Sequence, residues 1–256
     1  MFGAIVGDII GSRFEFHPLK SCDFELFTPQ CRFTDDTVLT LATANALLEQ
    51  SPFDENYHNF YHRYPLAGYG QRFSRWAASC SGHPYNSYGN GSAMRVSPVA
   101  WVADTLDEVL ELATQTAMPT HGHPEGVKGA QAVAAAIFLA RSGAGKTAIQ
   151  RFITKRFGYD LQRPLTQIRP DYSFEVSCQK SVPEALCCFL ESTDFISAIR
   201  LAISLGGDAD TQAAIAGSVA EAFYGGVPTV ILDAALIYLD PCLLEVYDRF
   251  NTRYLI

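Results

Sequence analysis

Two short segments carry the side chains best suited to chemistry. One is Thr34-Asp35-Asp36-Thr37; the other is Gly207-Asp208-Ala209-Asp210-Thr211. Each sets two aspartates beside a threonine where a helix begins. Acids at a helix start also cap free N–H groups and match the helix dipole, so either cluster alone is equally well read as a cap. Two features favour chemistry. Asp208 follows Gly206-Gly207, a pair built for a tight turn, and the helices behind both clusters are apolar and small-residue rich, hence buried. Four carboxylates at buried helix starts repel one another unless a cation neutralises them. Carboxylate and threonine oxygens are hard ligands, suited to magnesium, manganese or calcium rather than zinc or copper. That the two clusters meet in space is an expectation.

Three further segments are candidates. Gly7-Asp8-Ile9-Ile10-Gly11 places two glycines four apart, which gives a narrow helix face for close packing. Asp8 suits a structural acid bonded to neighbouring loops. Glu15, entering the loop beyond, either reaches a metal or a water or is a solvated loop acid. The polar stretch from Tyr85 to Arg95 includes Ser87-Tyr88-Gly89-Asn90-Gly91; alternating glycines expose N–H groups that can bind phosphate, and an ordinary surface turn has the same composition. Tyr88 could stack on a base or ribose. His121, in Thr120-His121-Gly122-His123-Pro124 ahead of an alanine-rich helix, is either a ligand contact or a satisfied structural residue.

Helical periodicity dominates the elements that must position these groups. Phe2, Ile5, Ile9 and Ile10 share one face of a first helix. Thr34 has the character of an N-cap for a helix Asp35–Glu49, with Val38, Leu41, Ala42 and Leu48 on one side. Further helices are expected over 106–116, 126–141, 196–205 and 211–224, and Ser181-Val182-Pro183-Glu184 resembles a capping-box start for one running through Leu190. The helices at 126–141 and 211–224 are rich in small residues, which suggests central positions with close neighbours. Residues 12–32, 79–98 and 161–179 concentrate glycine, proline, serine and aromatics and are expected as long functional loops, with a weak strand pattern at 168–176. The expected class is all-α: a compact, single-domain orthogonal helical bundle spanning residues 1–256.

Composition bounds the rest. The chain has 256 residues, 48% hydrophobic and 18% charged, enough to bury a large interior. A formal net charge of −8 argues against a duplex-binding face, so nucleic acid is expected only as a modified substrate. The seven cysteines, Cys22, Cys31, Cys80, Cys178, Cys187, Cys188 and Cys242, show no C-x-x-C spacing and are expected as reduced thiols. Asp8 interrupts the first apolar run too early for a signal peptide, and the apolar run 132–140 is too short to span a bilayer. A cytoplasmic location without membrane association is expected.

Taken together, the segments resemble the ADP-ribosylglycohydrolase family, which includes dinitrogenase reductase-activating glycohydrolases and ADP-ribosyl-acceptor hydrolases. The resemblance rests on the Gly7 to Glu15 opening, Phe33-Thr34-Asp35-Asp36-Thr37, Gly89-Asn90-Gly91-Ser92-Ala93-Met94-Arg95, Thr120-His121, Ser181-Val182-Pro183-Glu184-Ala185-Leu186 and Gly206-Gly207-Asp208-Ala209-Asp210-Thr211, in the family's order. It implies a divalent-metal-dependent hydrolase that releases ADP-ribose from modified proteins or other targets, with a centre of two Mg²⁺ or Mn²⁺ ions. By the same resemblance, Thr34, Asp35, Asp36, Asp208, Asp210 and Thr211 are the metal ligands. Glu15, Asp36 and Asp210 are the catalytic candidates, Glu15 being carried on a mobile flap. Ser87, Tyr88, Gly89, Asn90, Gly91 and His121 are the ADP-ribose contacts, with Tyr88 beside the adenosine end. Some arginine-directed members carry an aspartate three residues before the asparagine of Gly-Asn-Gly. Here that residue is Ser87, which looks more like the branch acting on serine-linked or polymeric ADP-ribose. The implied alternatives are a non-catalytic ADP-ribose-binding relative and a hydrolase of another N- or O-ribosyl bond.

Overall fold

The structure is a computed structural model that describes residues 1–79 and 83–254; Cys80 lies outside the described residues. The first half runs α1 (Phe2–Gly11), α2 (Asp35–Glu49), α3 (Phe53–Arg63), α4 (Gln71–Ser79), α5 (Gly91–Met94), α6 (Val99–Val102) and α7 (Leu106–His121). The second half runs α8 (Pro124–Arg141), α9 (Lys146–Phe157), α10 (Leu165–Ile168), α11 (Cys178–Glu191), α12 (Phe195–Ile203), α13 (Ala209–Tyr224), α14 (Thr229–Leu236) and α15 (Pro241–Tyr254). The class is all-α. Among the described residues the one β feature is an isolated antiparallel bridge between Gly89 and Ser177. No described helix is long and apolar enough to cross a membrane.

Small residues decide what lies at the centre. Every residue of α13 from Ala209 to Ala222 is buried, and α1, α8, α11 and α12 all pack against it. The glycine ridge of α1 sets the closest approach. A Cβ on Gly3 would fall 2.1 Å from the Gly217 carbonyl oxygen, and one on Gly7 2.2 Å from that of Ala213. Gly11 is also tight, its imagined Cβ 2.6 Å from the Asp210 Cα. Only glycine lets the two backbones meet this way. Between these contacts Ile5, Val6 and Ile9 are fully buried, each worth roughly 1.5–3 kcal/mol, and this helps offset the cost of the buried acid between them, Asp8.

Several elements depart from expectation. The 168–176 stretch is not a strand: it is the end of α10 followed by a loop whose only ladder contact comes later, at Ser177. Nor does Ser181 cap a helix. α11 begins a turn earlier, because Cys178 packs into the notch left by Gly129, and the Ser181 hydroxyl donates back to the Ser177 carbonyl at 2.8 Å. Pro183 therefore lies inside α11. His121 is the last residue of α7, which continues five residues past Thr116, and not part of a loop.

Candidate active site and metal centre

Asp8 organises the floor of the site. Its Oδ2 accepts from the Thr34 N–H at 2.9 Å, the Thr37 N–H at 3.0 Å and the Thr37 hydroxyl; its Oδ1 accepts from the Thr34 hydroxyl at 2.7 Å. Burial raises its pKa despite these bonds. Of the free N–H groups that open α2, Asp8 thus takes that of Thr37, Thr34 Oγ1 that of Asp36 at 3.2 Å and the Ala67 carbonyl that of Asp35 at 2.8 Å. Thr34 is engaged in this cap and does not line the cleft described next.

With α2 capped from below, Asp35 and Asp36 face a cleft of about 510 Å³. The first turn of α13 supplies the opposite carboxylates. Asp208 stands at the N-cap position yet makes no cap bond. Its Oδ2 instead accepts from the Asn90 amide at 2.7 Å, and its carboxylate lies within 4.8 Å of that of Asp210. The Thr211 hydroxyl donates across to Asp36 Oδ2 at 3.1 Å, so the two helix starts meet. Asp36 Oδ1 is buried with no partner. Glu15 reaches in from the loop after α1: oxygens of Glu15, Asp208 and Asp210 lie within 4.8 Å of one another.

Burial and mutual repulsion raise the pKa of every acid here. Glu15 is pushed up to about 8, by burial first and Asp210 second; Asp208 is pushed up to about 6, chiefly by burial. Asp35 and Asp36 are raised well above the carboxylate range by burial and then by Asp210, and Asp210 by burial and then by Asp208. An all-oxygen donor set with an orphaned carboxylate oxygen fits a hard divalent cation, whose charge would remove this penalty.

The other wall is a preorganised loop. The Ser87 N–H donates to the Thr120 carbonyl at 2.9 Å, the Asn90 N–H to that of Val176 at 2.7 Å, and the Cys178 N–H to that of Tyr88 at 2.9 Å. The Ser87 hydroxyl accepts from the Gly89 N–H at 3.1 Å. Ser87, Gly89, Asn90, Gly91 and His121 all line the cleft. Tyr88 does not: it is 51% exposed, its ring edge-on to His123. Tyr85, from the same loop, does line it.

The cleft also contains residues that sequence reasoning passed over. Gly68, Tyr69, Gly70 and Arg72 form one wall, and Phe16 and Phe174 stack on each other, ring centroids 6.1 Å apart, among the residues lining the cleft. The only local signal was the Gly68-Tyr69-Gly70 triplet ahead of α4.

Comparisons with known proteins show the family and the fold. The family model described as ADP-ribosylglycohydrolase matches residues 1–252. Human ADP-ribosylhydrolase ARH3 is 28% identical, the match covering 87% of this chain and 84% of that protein. ADP-ribosylarginine hydrolase Tri1 of Pseudomonas putida (strain GB-1) is 29% identical over 97% of this chain and 77% of its own length. A solved structure titled ADP-ribosylglycohydrolase-related protein complex superposes with a TM-score of 0.73 at 28% identity, covering 97% of this chain and 93% of that one. With a match over nearly its whole length and the fold in common, the chain belongs to the ADP-ribosylglycohydrolase family and is a hydrolase acting on glycosyl bonds.

Proposed function

We propose that this protein, with bound magnesium or manganese, hydrolyses the ribosyl bond of ADP-ribosylated targets and releases ADP-ribose, favouring serine-linked, other O-linked or polymeric substrates over arginine-linked ones. The observation that carries this reading is the convergence of Asp35, Asp36, Asp208, Asp210 and Glu15 at one end of a cleft whose wall is the Ser87–Gly91 loop. Asp35, Asp36, Asp208, Asp210 and Thr211 would hold the ions, with Thr34 supporting from the α2 cap. Two such ions would fix ribose hydroxyls and acidify a water.

The remaining work belongs to the chain itself. Asn90 orients Asp208 through its amide bond. With the Ser87, Gly89 and Asn90 N–H groups engaged in holding the loop, the Gly91 N–H and His121 receive the diphosphate. Glu15 takes the proton of the attacking water as that oxygen bonds to the anomeric carbon. The bond to the acceptor breaks through an oxocarbenium-like transition state, and the acceptor leaves with the bonding electrons and takes up a proton returned from Glu15. Ser87 supports the linkage preference, since no carboxylate stands at that point of the wall to pair with a guanidinium. The similarity to Tri1 favours a second reading, arginine-linked substrates.

Mass spectrometry of serine-, arginine- and nucleic-acid-linked ADP-ribose substrates separates these readings. The expected result is release from the serine-linked peptide, abolished by chelator and restored by magnesium or manganese. Release from the arginine-linked substrate alone would overturn the linkage preference. Full turnover in metal-free protein would overturn the metal role, and binding of ADP-ribose without any turnover would overturn catalysis.

A further inference from the structure

Arg95 has the largest fully buried side chain in the molecule, and among the described residues it forms no ion pair. Its guanidinium lies over the Tyr57 ring, 4.1 Å from the centroid. Nη2 donates to the Thr116 carbonyl at 2.9 Å and to the Thr120 hydroxyl oxygen at 2.7 Å, while Nε and Nη1 have no partner. A buried guanidinium without an acid is costly, and packing alone does not account for one beside a ligand cleft.

The neighbour it engages leads to the cleft. Thr120 Oγ1 lies 2.7 Å from His121 Nδ1. A guanidinium only donates, so Thr120 receives a proton from Arg95. The Thr120 hydroxyl is fully buried and must place its own proton, and of its hydrogen-bond partners Arg95 and His121 Nδ1, only Nδ1 can accept. The threonine's own proton then goes to Nδ1. We propose that Arg95 and Thr120 are positioning residues that fix His121 as a neutral imidazole with its proton on Nε2, so that an N–H donor faces the Gly89–Gly91 loop.

The geometry on the far side of the ring agrees. A Cβ on Gly91 would lie 3.1 Å from Nε2 and one on Gly89 3.6 Å, so both glycines leave open the space this nitrogen faces. Burial, followed by the guanidinium groups of Arg95 and Arg72, holds the ring well below the usual histidine range. A neutral ring has one N–H, and its placement decides the sign of the interaction. With the proton on Nε2 the ring attracts a phosphate oxygen; with the proton on Nδ1 it would present a lone pair and repel one. The anion contact therefore does not depend on protonating His121.

The tautomer assignment stands on the free protein, whereas its consequence for binding rests on the ADP-ribose reading above. The test uses the full chain with ¹⁵N-labelled histidine, the His121 signals being assigned by their loss in His121→Gln. Long-range ¹H–¹⁵N spectra should show Nδ1 unprotonated and Nε2 protonated in the ligand-free wild type. Thr120→Val, nearly equal in size, should give mixed tautomers and weaken ADP-ribose binding roughly 10-fold or more by calorimetry, while Thr120→Ser restores both. A protonated Nδ1 in the wild type overturns the proposal without need of any variant. So does a folded Thr120→Val protein with wild-type tautomer and affinity. Failure of the wild type to bind ADP-ribose, with the tautomer as stated, overturns the function reading and leaves the assignment standing.

Discussion

Neutralising Asp208 should make the metal-free protein more stable and the enzyme inactive. Asp208 is 6% exposed, and burial lifts its pKa from the ordinary aspartate value of about 3.9 to about 6. Each pH unit of that displacement is worth about 1.4 kcal/mol, so the ionised side chain destabilises the metal-free fold by up to about 3 kcal/mol. The sign follows from the direction. The folded state holds this proton more tightly than the unfolded state, so the associated stability is complete below about pH 4 and is lost as pH rises through 6. Asp208→Asn keeps the shape. Its Oδ1 can still accept from Asn90, and its new amide carries no charge to oppose the Asp210 carboxylate nearby. In chelator at pH 7.5 the variant should gain about 1–3 kcal/mol, or roughly 2–12 °C in Tm for a chain of this size. At pH 4 the gain should vanish.

Calorimetric melts of both proteins at pH 4, 5.5 and 7.5, with chelator and with magnesium, test each step. Magnesium should raise the wild-type Tm more than that of the variant, because the variant's site has one charge fewer to neutralise. Turnover by the variant should be lost. A metal-free variant no more stable than wild type at pH 7.5 would show that the carboxylates are already compensated, and the argument from repulsion would fail. A gain of equal size at all three pH values would refute its electrostatic origin.

Two further outcomes follow from other parts of the site and fold. Glu15→Gln should lower kcat by about 10²–10⁴-fold while leaving ADP-ribose affinity nearly unchanged, since a proton acceptor acts mainly in the transition state; steady-state kinetics beside calorimetric binding checks this, and a defect wholly in affinity would reduce Glu15 to a binding group. Gly7→Ala should destabilise the fold by at least about 1–3 kcal/mol in urea unfolding, because its Cβ would lie 2.2 Å from a backbone oxygen of α13 that cannot move aside. Wild-type stability in that variant would mean the two helices separate without cost.

Legibility in the sequence followed the locality of each signal. α2 has the expected bounds because its start is written in one residue, the N-cap Thr34, and its aliphatic face follows directly. α4 was illegible for the opposite reason. Its sequence, Gln-Arg-Phe-Ser-Arg-Trp-Ala-Ala-Ser, buries only Phe73, Trp76 and Ala77, so it shows no aliphatic stripe, although its faces are strongly segregated. In α9, by contrast, Ile149, Ile153 and Phe157 stand four apart, and that spacing was there to be used. Within the site, the aspartates stood out as local patterns. The wall from Gly68 to Arg72 did not, because its place in the cleft comes from tertiary packing and from no motif. Tyr88 and Tyr85 lie three residues apart in one polar loop, and nothing in their spacing says which of the two lines the cleft. The backbone decides it: Asn86 adopts a left-handed conformation, φ 48°, between them.

The arrangement of acids shows how a stable fold can carry an unstable site. Helix starts need acceptors, and carboxylates commonly provide them. Here that duty falls on Asp8 and Thr34 for α2, and Asp208 makes no cap bond for α13. Asp36 Oδ1 and the Asp208 carboxylate are thus left uncommitted to the backbone. The glycine ridge of α1 makes this possible. By drawing α1 against α13, it puts Asp8 beneath the start of α2 and Asp210 beside Gly11. Widening that contact by one methyl group would both loosen the core and part the two acidic helix starts. Stability and site geometry are therefore coupled through Gly3, Gly7 and Gly11, whereas neutralising Asp35, Asp208 or Asp210 should leave the fold intact.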